Sequence, residues 1–359
     1  MRPTSVTVRL ADIAANYELA NRLAPGSQSI AVIKANAYGH GMVNVAQYLQ
    51  DRVPVFGVAI VEEAVQLRDA GIKRPILVMQ GPGDTRDVDE AVAGGFWLLL
   101  HRQQQVDWVQ SAKHAGSLGV WLKLETGMHR LGFTEGVIDQ VCASLRSSPN
   151  VNQAPVLCTQ LACAEDHENP LTHEQVRIIR GCASRNRLDM SIANSAGVLF
   201  WPDSHAQWNR PGYMLYGLCP TGSTTAGLHG LRPAMTMRSE IIAIKNLAPG
   251  QGVGYGHDWV AKRPSKIGVV AIGYGDGYPR HAPNGTPVLV SGQRAALTGR
   301  VSMDAISVDL TDLEKADVGD PVELWGQNLS VNEVASMSGT IGYEILAGLT
   351  GRVPTSHQD

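Results

Sequence analysis

From residue 10 to residue 220, short apolar runs alternate with stretches whose apolar positions recur every three or four residues. The runs are Ser29–Ile33, Val55–Ala59, Pro75–Met79, Phe96–Leu100, Gly119–Leu124, Ala154–Cys158 and Met190–Ala193. Runs without polar alternation are what a parallel strand covered on both faces requires. Between them lie amphipathic segments such as 61–71, apolar at positions 61, 64, 65 and 67, with Gly71 placed to cap a helix. A repeat of roughly 20 to 35 residues is that of a βα unit. No GxGxxG follows the first strand, and the length suits a barrel of about 250 residues, so a closed (β/α)8 TIM-type barrel is expected over an open doubly wound sheet. From residue 231 the texture changes to short strands, Ser239–Ile244, Ile267–Ile272, Pro287–Val290 and Ile306–Leu310, separated by Gly, Pro and Asn. The predicted organisation is an α/β barrel over 1–230 followed by a C-terminal all-β domain over 231–359, with no long linker at Gly230-Leu231-Arg232-Pro233.

Composition narrows the function classes. The 359 residues fit two domains at roughly 150 residues each. Thirty Lys and Arg against 33 Asp and Glu leave a formal charge of −3, which predicts no nucleic-acid and no anionic-membrane partner. No apolar run is long enough to span a bilayer, and Met1–Val8 carries no apolar leader core, so a cytoplasmic protein is expected. The five cysteines, at 142, 158, 163, 182 and 219, form no CxxC pair, which predicts buried free thiols and no metal site. Glycine is the outlier, 38 residues against a usual share of about 7%. With no collagen-like period, these glycines are expected at turns, caps and close backbone approaches.

The most informative segment is Val32-Ile33-Lys34-Ala35-Asn36-Ala37-Tyr38-Gly39-His40-Gly41. It sets a lysine at the carboxyl end of a predicted barrel strand, the face where barrel enzymes assemble their sites. Burial there depresses an amine's pKa and frees it as a nucleophile. A lysine that merely snorkels or pairs with a carboxylate is the competing reading of this position taken alone. The glycines and Tyr38 beyond it favour a carbonyl cofactor with a phosphate, and an aldehyde held by lysine as a Schiff base is pyridoxal 5′-phosphate chemistry.

The Lys34 segment resembles the pyridoxal-lysine motif of the alanine racemase family, and similar motifs follow in order over nearly the whole chain. The resemblance implies a pyridoxal-phosphate barrel plus a β-domain, a head-to-tail homodimer with shared active sites, and interconversion of L- and D-alanine. By that resemblance Lys34 holds the cofactor, and Tyr38, Ser195 in Ile192-Ala193-Asn194-Ser195-Ala196, Gly212, Tyr213 and Tyr343 bind its phosphate. Asn194-Ser195 alone reads as a helix cap, which is compatible with phosphate binding because both use the same free amides. Arg210, in Asn209-Arg210-Pro211-Gly212-Tyr213, matches the arginine facing the pyridine nitrogen. Because a guanidinium keeps its proton, that nitrogen stays unprotonated and the electron sink is weak.

Racemisation needs a base on each face of a planar centre, and the resemblance supplies Lys34 for one and Tyr255, in Val253-Gly254-Tyr255-Gly256-His257, for the other. A free tyrosine titrates near pH 10, so its surroundings must favour the phenolate; outside this context a tyrosine between glycines reads as a turn aromatic. Arg130, Met303, Asp304 and Tyr274 match substrate-binding positions, and Arg280 and Arg300 match the site entrance. Tyr343 also narrows the pocket to a methyl-sized side chain. Lys123 matches a lysine often carbamylated to hold the substrate-binding arginine. Gln160 stands where the family normally has histidine, so it bonds to both neighbours but carries no charge. The same architecture also serves amino-acid decarboxylases, whose pocket motifs are missing here, racemases of serine or lysine, and pyridoxal-binding proteins without turnover. Tyr343 favours a small substrate and Tyr255 favours catalysis, while Gln160 favours reduced turnover.

Overall fold

In a computed structural model, residues 2–113, 118–151, 153–222 and 228–359 are described. The chain forms two compact units, one of Asn16–Ala37 with Gly41–Leu215, the other of Met1–Ala15, Tyr38–His40 and Tyr216–Asp359. The first is a closed parallel barrel of Gln28–Val32, Val55–Val58, Ile76–Val78, Phe96–Leu100, Gly119–Lys123, Val156–Cys158, Met190–Ser191 and Trp208–Asn209. The ring closes where Gln28 and Ser29 pair with Trp208 and Asn209. Seven of these strands coincide with the predicted apolar runs to within two residues at each end. The eighth is two residues long and carries no run to recognise.

Burial accounts for the apolar strands. Ile30, Phe56, Leu77, Leu98, Leu100, Leu122 and Leu157 are fully buried. Trp97, Trp121 and Trp208 form an aromatic cluster with ring centroids 5.8 to 6.5 Å apart. Gly119 makes room for it, because a Cβ there would stand 2.4 Å from Trp97 Cδ1. Helices Met42–Leu49, Val61–Asp69, Thr85–Gly94, Gln103–Ser111, Glu135–Arg146, Leu171–Asn186 and Ser195–Phe200 alternate with the strands. Each longer helix buries one face, as in Ile138, Val141, Cys142 and Leu145 of Glu135–Arg146.

The second unit is built on an eight-stranded sheet ordered Ser265–Val270, Ile306–Asp309, Gln293–Leu297, Pro287–Val290, Pro321–Trp325, Met235–Leu247, Ser5–Arg9, Thr355–Gln358. Met235–Leu247 also pairs antiparallel with Ser265–Val270, which closes the first six strands into a ring. The strand Ser5–Arg9 corrects the expected division at residue 230. It pairs with Arg238–Met235 on one side and Thr355–Gln358 on the other, so the start of the chain folds with the β-unit. Its alternation of buried Val6 and Val8 with more exposed neighbours is half-buried strand, but only the pairing reveals which sheet it joins. The cysteines are free, four of them buried and Cys163 partly so.

Candidate active site

Lys34 follows the first barrel strand, where the Ile33 N–H donates to the Gly57 carbonyl at 2.8 Å. The next four residues, Ala35, Asn36, Ala37 and Tyr38, all have left-handed backbone, with φ from 51° to 54°. Left-handed backbone costs L-residues roughly 1–2 kcal/mol each, so four in succession must be held by bonds. The holding set is visible: Ala37 N–H to Ile33 O (2.8 Å), Gly41 N–H to Asn36 O (3.0 Å), Met42 N–H to Asn36 Oδ1 (2.8 Å) and Ala35 N–H to Glu63 Oε1 (2.7 Å). The turn throws Lys34 into a cavity of about 240 Å³ lined also by Met79, Leu99, Lys123, Arg130 and Gln160. Burial lowers the Lys34 pKa, Arg130 and Arg210 push it the same way, and Glu63 opposes them.

Lys123, at the end of its strand, lines the same cavity. Burial is the main cause bringing its pKa down to about 8; Arg210 and Arg130 add to the fall, and Cys158 and Glu125 oppose it. Arg210 is 3% exposed. Its Nη1 donates to Ser191 Oγ at 2.6 Å, and its Nη2 to Thr159 O at 2.6 Å, Ile192 O at 3.3 Å and Gln160 Oε1 at 3.4 Å. These partners are hydroxyl, carbonyl and amide oxygens, so the guanidinium is satisfied without being neutralised. The Gln160 carbonyl accepts from Gln175 Nε2 at 2.9 Å, and Gln175 Oε1 accepts from Ala162 N–H at 2.9 Å.

A second cluster in the barrel unit gathers backbone amides. Ser195 Oγ accepts from Gly212 N–H at 3.0 Å and Met214 N–H at 3.2 Å, while Asn194 Oδ1 caps Ser195–Phe200 through Gly197 N–H at 2.9 Å. Tyr213 is buried beside it in sequence. In the β-unit, the rings of Tyr38 and Tyr343 lie 6.0 Å apart, and Tyr216 lies 4.9 Å from Tyr38. Burial pushes the Tyr38 phenol well above its ordinary value, so it is a hydrogen-bond donor and not an anion. Gly39, with φ +81°, has no room for a Cβ, which would stand 2.1 Å from the Leu346 carbonyl oxygen.

The remaining expected residues belong to the β-unit. Tyr255 sits in a tight turn between Gly254 and Gly256, both at positive φ, and is 70% exposed. Arg300 braces that turn through a salt bridge to Asp258. Met303 and Tyr274 are 52% and 39% exposed, and the two segments are laced by Tyr274 N–H to Ser302 O (3.0 Å) and Gly275 N–H to Met303 O (2.9 Å). Arg280 lies over the Tyr274 ring at 5.9 Å. Asp304 is not a free carboxylate, since Arg352 donates to it at 2.5 Å. Arg2 donates to both oxygens of the fully buried Asp276, at 2.5 and 2.7 Å, and to the Asp304 carbonyl at 3.1 Å.

Sequence reading passed over Glu63, Gln175, Asp276, Arg2 and Arg352. Each acts at long sequence separation, and only Glu63 carried a signal, a carboxylate in the first turn of a predicted helix. Among the described residues no cluster of His, Cys, Asp and Glu could hold a metal, and no helix is long and apolar enough to cross a membrane.

The chain matches the family models "Alanine racemase, N-terminal domain" over residues 8–220 and "Alanine racemase, C-terminal domain" over residues 234–357. It is 46% identical over 354 residues to "Alanine racemase, biosynthetic" of Pseudomonas aeruginosa, covering 99% of each chain. The crystal structure of the biosynthetic alanine racemase from Pseudomonas aeruginosa superposes with a TM-score of 0.97 at 46% identity and 100% coverage of both chains. That of alanine racemase from Bartonella henselae, described with covalently bound pyridoxal phosphate, gives 0.89 at 28% identity, again covering 100% of both. With both family models matched and a relative this similar over its full length, the chain belongs to the alanine racemase family.

Proposed function

We propose that this protein interconverts L- and D-alanine with pyridoxal 5′-phosphate as its cofactor. The observation that carries the reading is Lys34, an amine of lowered pKa at the carboxyl end of a barrel strand, facing a small cavity with Arg130. The residues present fit the cofactor. Lys34 is a nucleophilic amine for its aldehyde, and Arg210 is a buried cation with no carboxylate among its described partners. In the barrel unit, Ser195 and the amides it gathers, with Tyr213, are the donors for its phosphate. Bound there, the cofactor supplies the electron withdrawal that makes an α-proton removable.

The protein's residues supply binding and proton transfer. Arg130 holds the carboxylate, keeping Cα–H oriented for proton removal in preference to loss of carbon dioxide. Lys34 Nζ exchanges the proton on one face and the Tyr255 phenol oxygen on the other, so the two directions use the same pair in opposite roles. Tyr255, Tyr274 and Met303 are exposed, as residues completing a site with a second copy would be, which supports a homodimer in which Tyr255 acts in the partner's site. A cytoplasmic location and a supply of D-alanine for peptidoglycan complete the proposal.

Lys123 is read as carbamylated. Its amine, with a pKa of about 8, is partly neutral at physiological pH, and adding carbon dioxide forms an N–C bond and releases a proton to solvent. The resulting anion offsets the charge of Arg130 and Arg210. Borohydride treatment tests the central reading: the cofactor becomes fixed on Lys34 and the visible absorption disappears. A colourless protein with unmodified Lys34 refutes it, and exchange on serine or lysine with none on alanine refutes the substrate.

A further inference from the structure

Glu63 holds a position that helix formation alone does not explain. It lies in the first turn of Val61–Asp69, and its Oε2 accepts from the Ala59 N–H at 2.7 Å, an ordinary way to cap a helix start. Its other oxygen, Oε1, reaches 28 residues back along the chain to accept from the Ala35 N–H, also at 2.7 Å. Ala35 is the first of the four left-handed residues and directly follows Lys34. A single carboxylate therefore ties the start of the second barrel helix to the backbone on which the nucleophile is mounted.

We propose that Glu63 is the positioning residue of Lys34, fixing the left-handed turn at its first residue and tying a carboxylate to the backbone that carries the amine. The inference rests on the reading of Lys34 as the cofactor-bearing amine. The need is physical. The Ala35 amide, turned out of any strand or right-handed helix, is exposed to water, and a charged oxygen is the acceptor that holds it most strongly against that competition. The charges bearing on Lys34 are Arg130 and Arg210, which repel an ammonium, and Glu63, which attracts it. Glu63 thus sets how far the two arginines and burial lower the amine, keeping it able to carry a proton as well as to release one.

Two measurements on the full chain separate anchoring from charge. In the protein freed of cofactor with hydroxylamine, acetic anhydride labelling of Lys34 is followed against pH by peptide mass. Glu63→Gln removes the charge and leaves one acceptor oxygen for the two amides that Glu63 receives, so labelling at pH 7 rises about threefold and the half-labelling point moves to lower pH. Glu62→Gln, an exposed neighbour, leaves both unchanged. Glu63→Asp keeps the charge on a shorter stem and retains a half-labelling point nearer the unaltered protein than Glu63→Gln does.

In the cofactor-loaded protein, the Ala35 amide exchanges its hydrogen about tenfold faster in Glu63→Ala. A Glu63→Gln half-labelling point that stays in place or rises overturns the electrostatic part, and unchanged exchange in Glu63→Ala overturns the anchoring part. If borohydride fixes no cofactor on Lys34 in the unaltered protein, the proposed function falls, while these readouts still decide the role of Glu63.

Discussion

Two lysines share one cavity, and their surroundings assign them different chemistry. Lys34 is opposed by Arg130 and Arg210 but keeps Glu63, whereas Lys123 meets the same two arginines with its pKa brought to about 8. Intact mass in bicarbonate buffer should show one added carbon dioxide, the adduct should increase as pH rises through 8, and Lys123→Met should abolish it; an unmodified Lys123 in electron density refutes the carbamate. In buffer free of carbon dioxide, the unfolded lysine with its ordinary value of 10.5 binds more protons than the folded one between pH 8 and 10.5. The contribution of Lys123 to stability therefore rises with pH across that window, and Lys123→Met should flatten the rise in a urea titration.

Gln160 poses a different question at the same scale. Its Oε1 meets Arg210 at 3.4 Å, a long contact that adds little to the 2.6 Å bonds from Thr159 and Ser191. Gln160→His should leave cofactor loading unchanged and alter the pH dependence of racemisation, since imidazole titrates where an amide does not. Superimposable pH profiles would show that this position takes no part in tuning the acid–base groups. Lys34, Arg130 and Gln160, singled out from motifs in separate segments, line one cavity. Glu63 and Gln175 were not singled out, because their partners at Ala35 and Gln160 lie in other segments.

Among the elements, the turn after Lys34 departs furthest from what residue preferences predict. Ala-Asn-Ala-Tyr contains no glycine, yet all four residues are left-handed, and Asn36 is the one whose side chain suits that geometry. Its Oδ1 also receives the Met42 N–H that starts the next helix. Asn36→Ala should lower unfolding stability by about 1–2 kcal/mol in urea, and a loss near zero would mean that Glu63 and the backbone bonds suffice. Strands such as Phe96–Leu100 were legible because they lie in apolar runs, whereas Trp208–Asn209 was hidden because polar Gln207 and Arg210 flank it and leave no run.

For the whole molecule, the sequence separated a barrel from a β-domain but assigned the first fifteen residues to the barrel, whereas Ser5–Arg9 pairs in the β-unit. Thr355–Gln358 joins its sheet only through Ser5–Arg9, which also borders Met235–Leu247. A fragment of residues 231–359 should therefore resist urea less than the same fragment supplied with a peptide of residues 2–15, and no gain on adding the peptide would contradict the pairing. Lys34 and Tyr255 fall in different units of one chain, so neither the barrel nor the β-unit alone supplies both of the proposed bases.

The most direct test of this account is deuterium uptake at Cα, measured separately on L- and D-alanine in heavy water. The unaltered protein should exchange both enantiomers. Tyr255→Phe should still exchange one enantiomer and lose exchange of the other by at least about a hundredfold. Equal exchange of both enantiomers in Tyr255→Phe would contradict the assignment of the two bases.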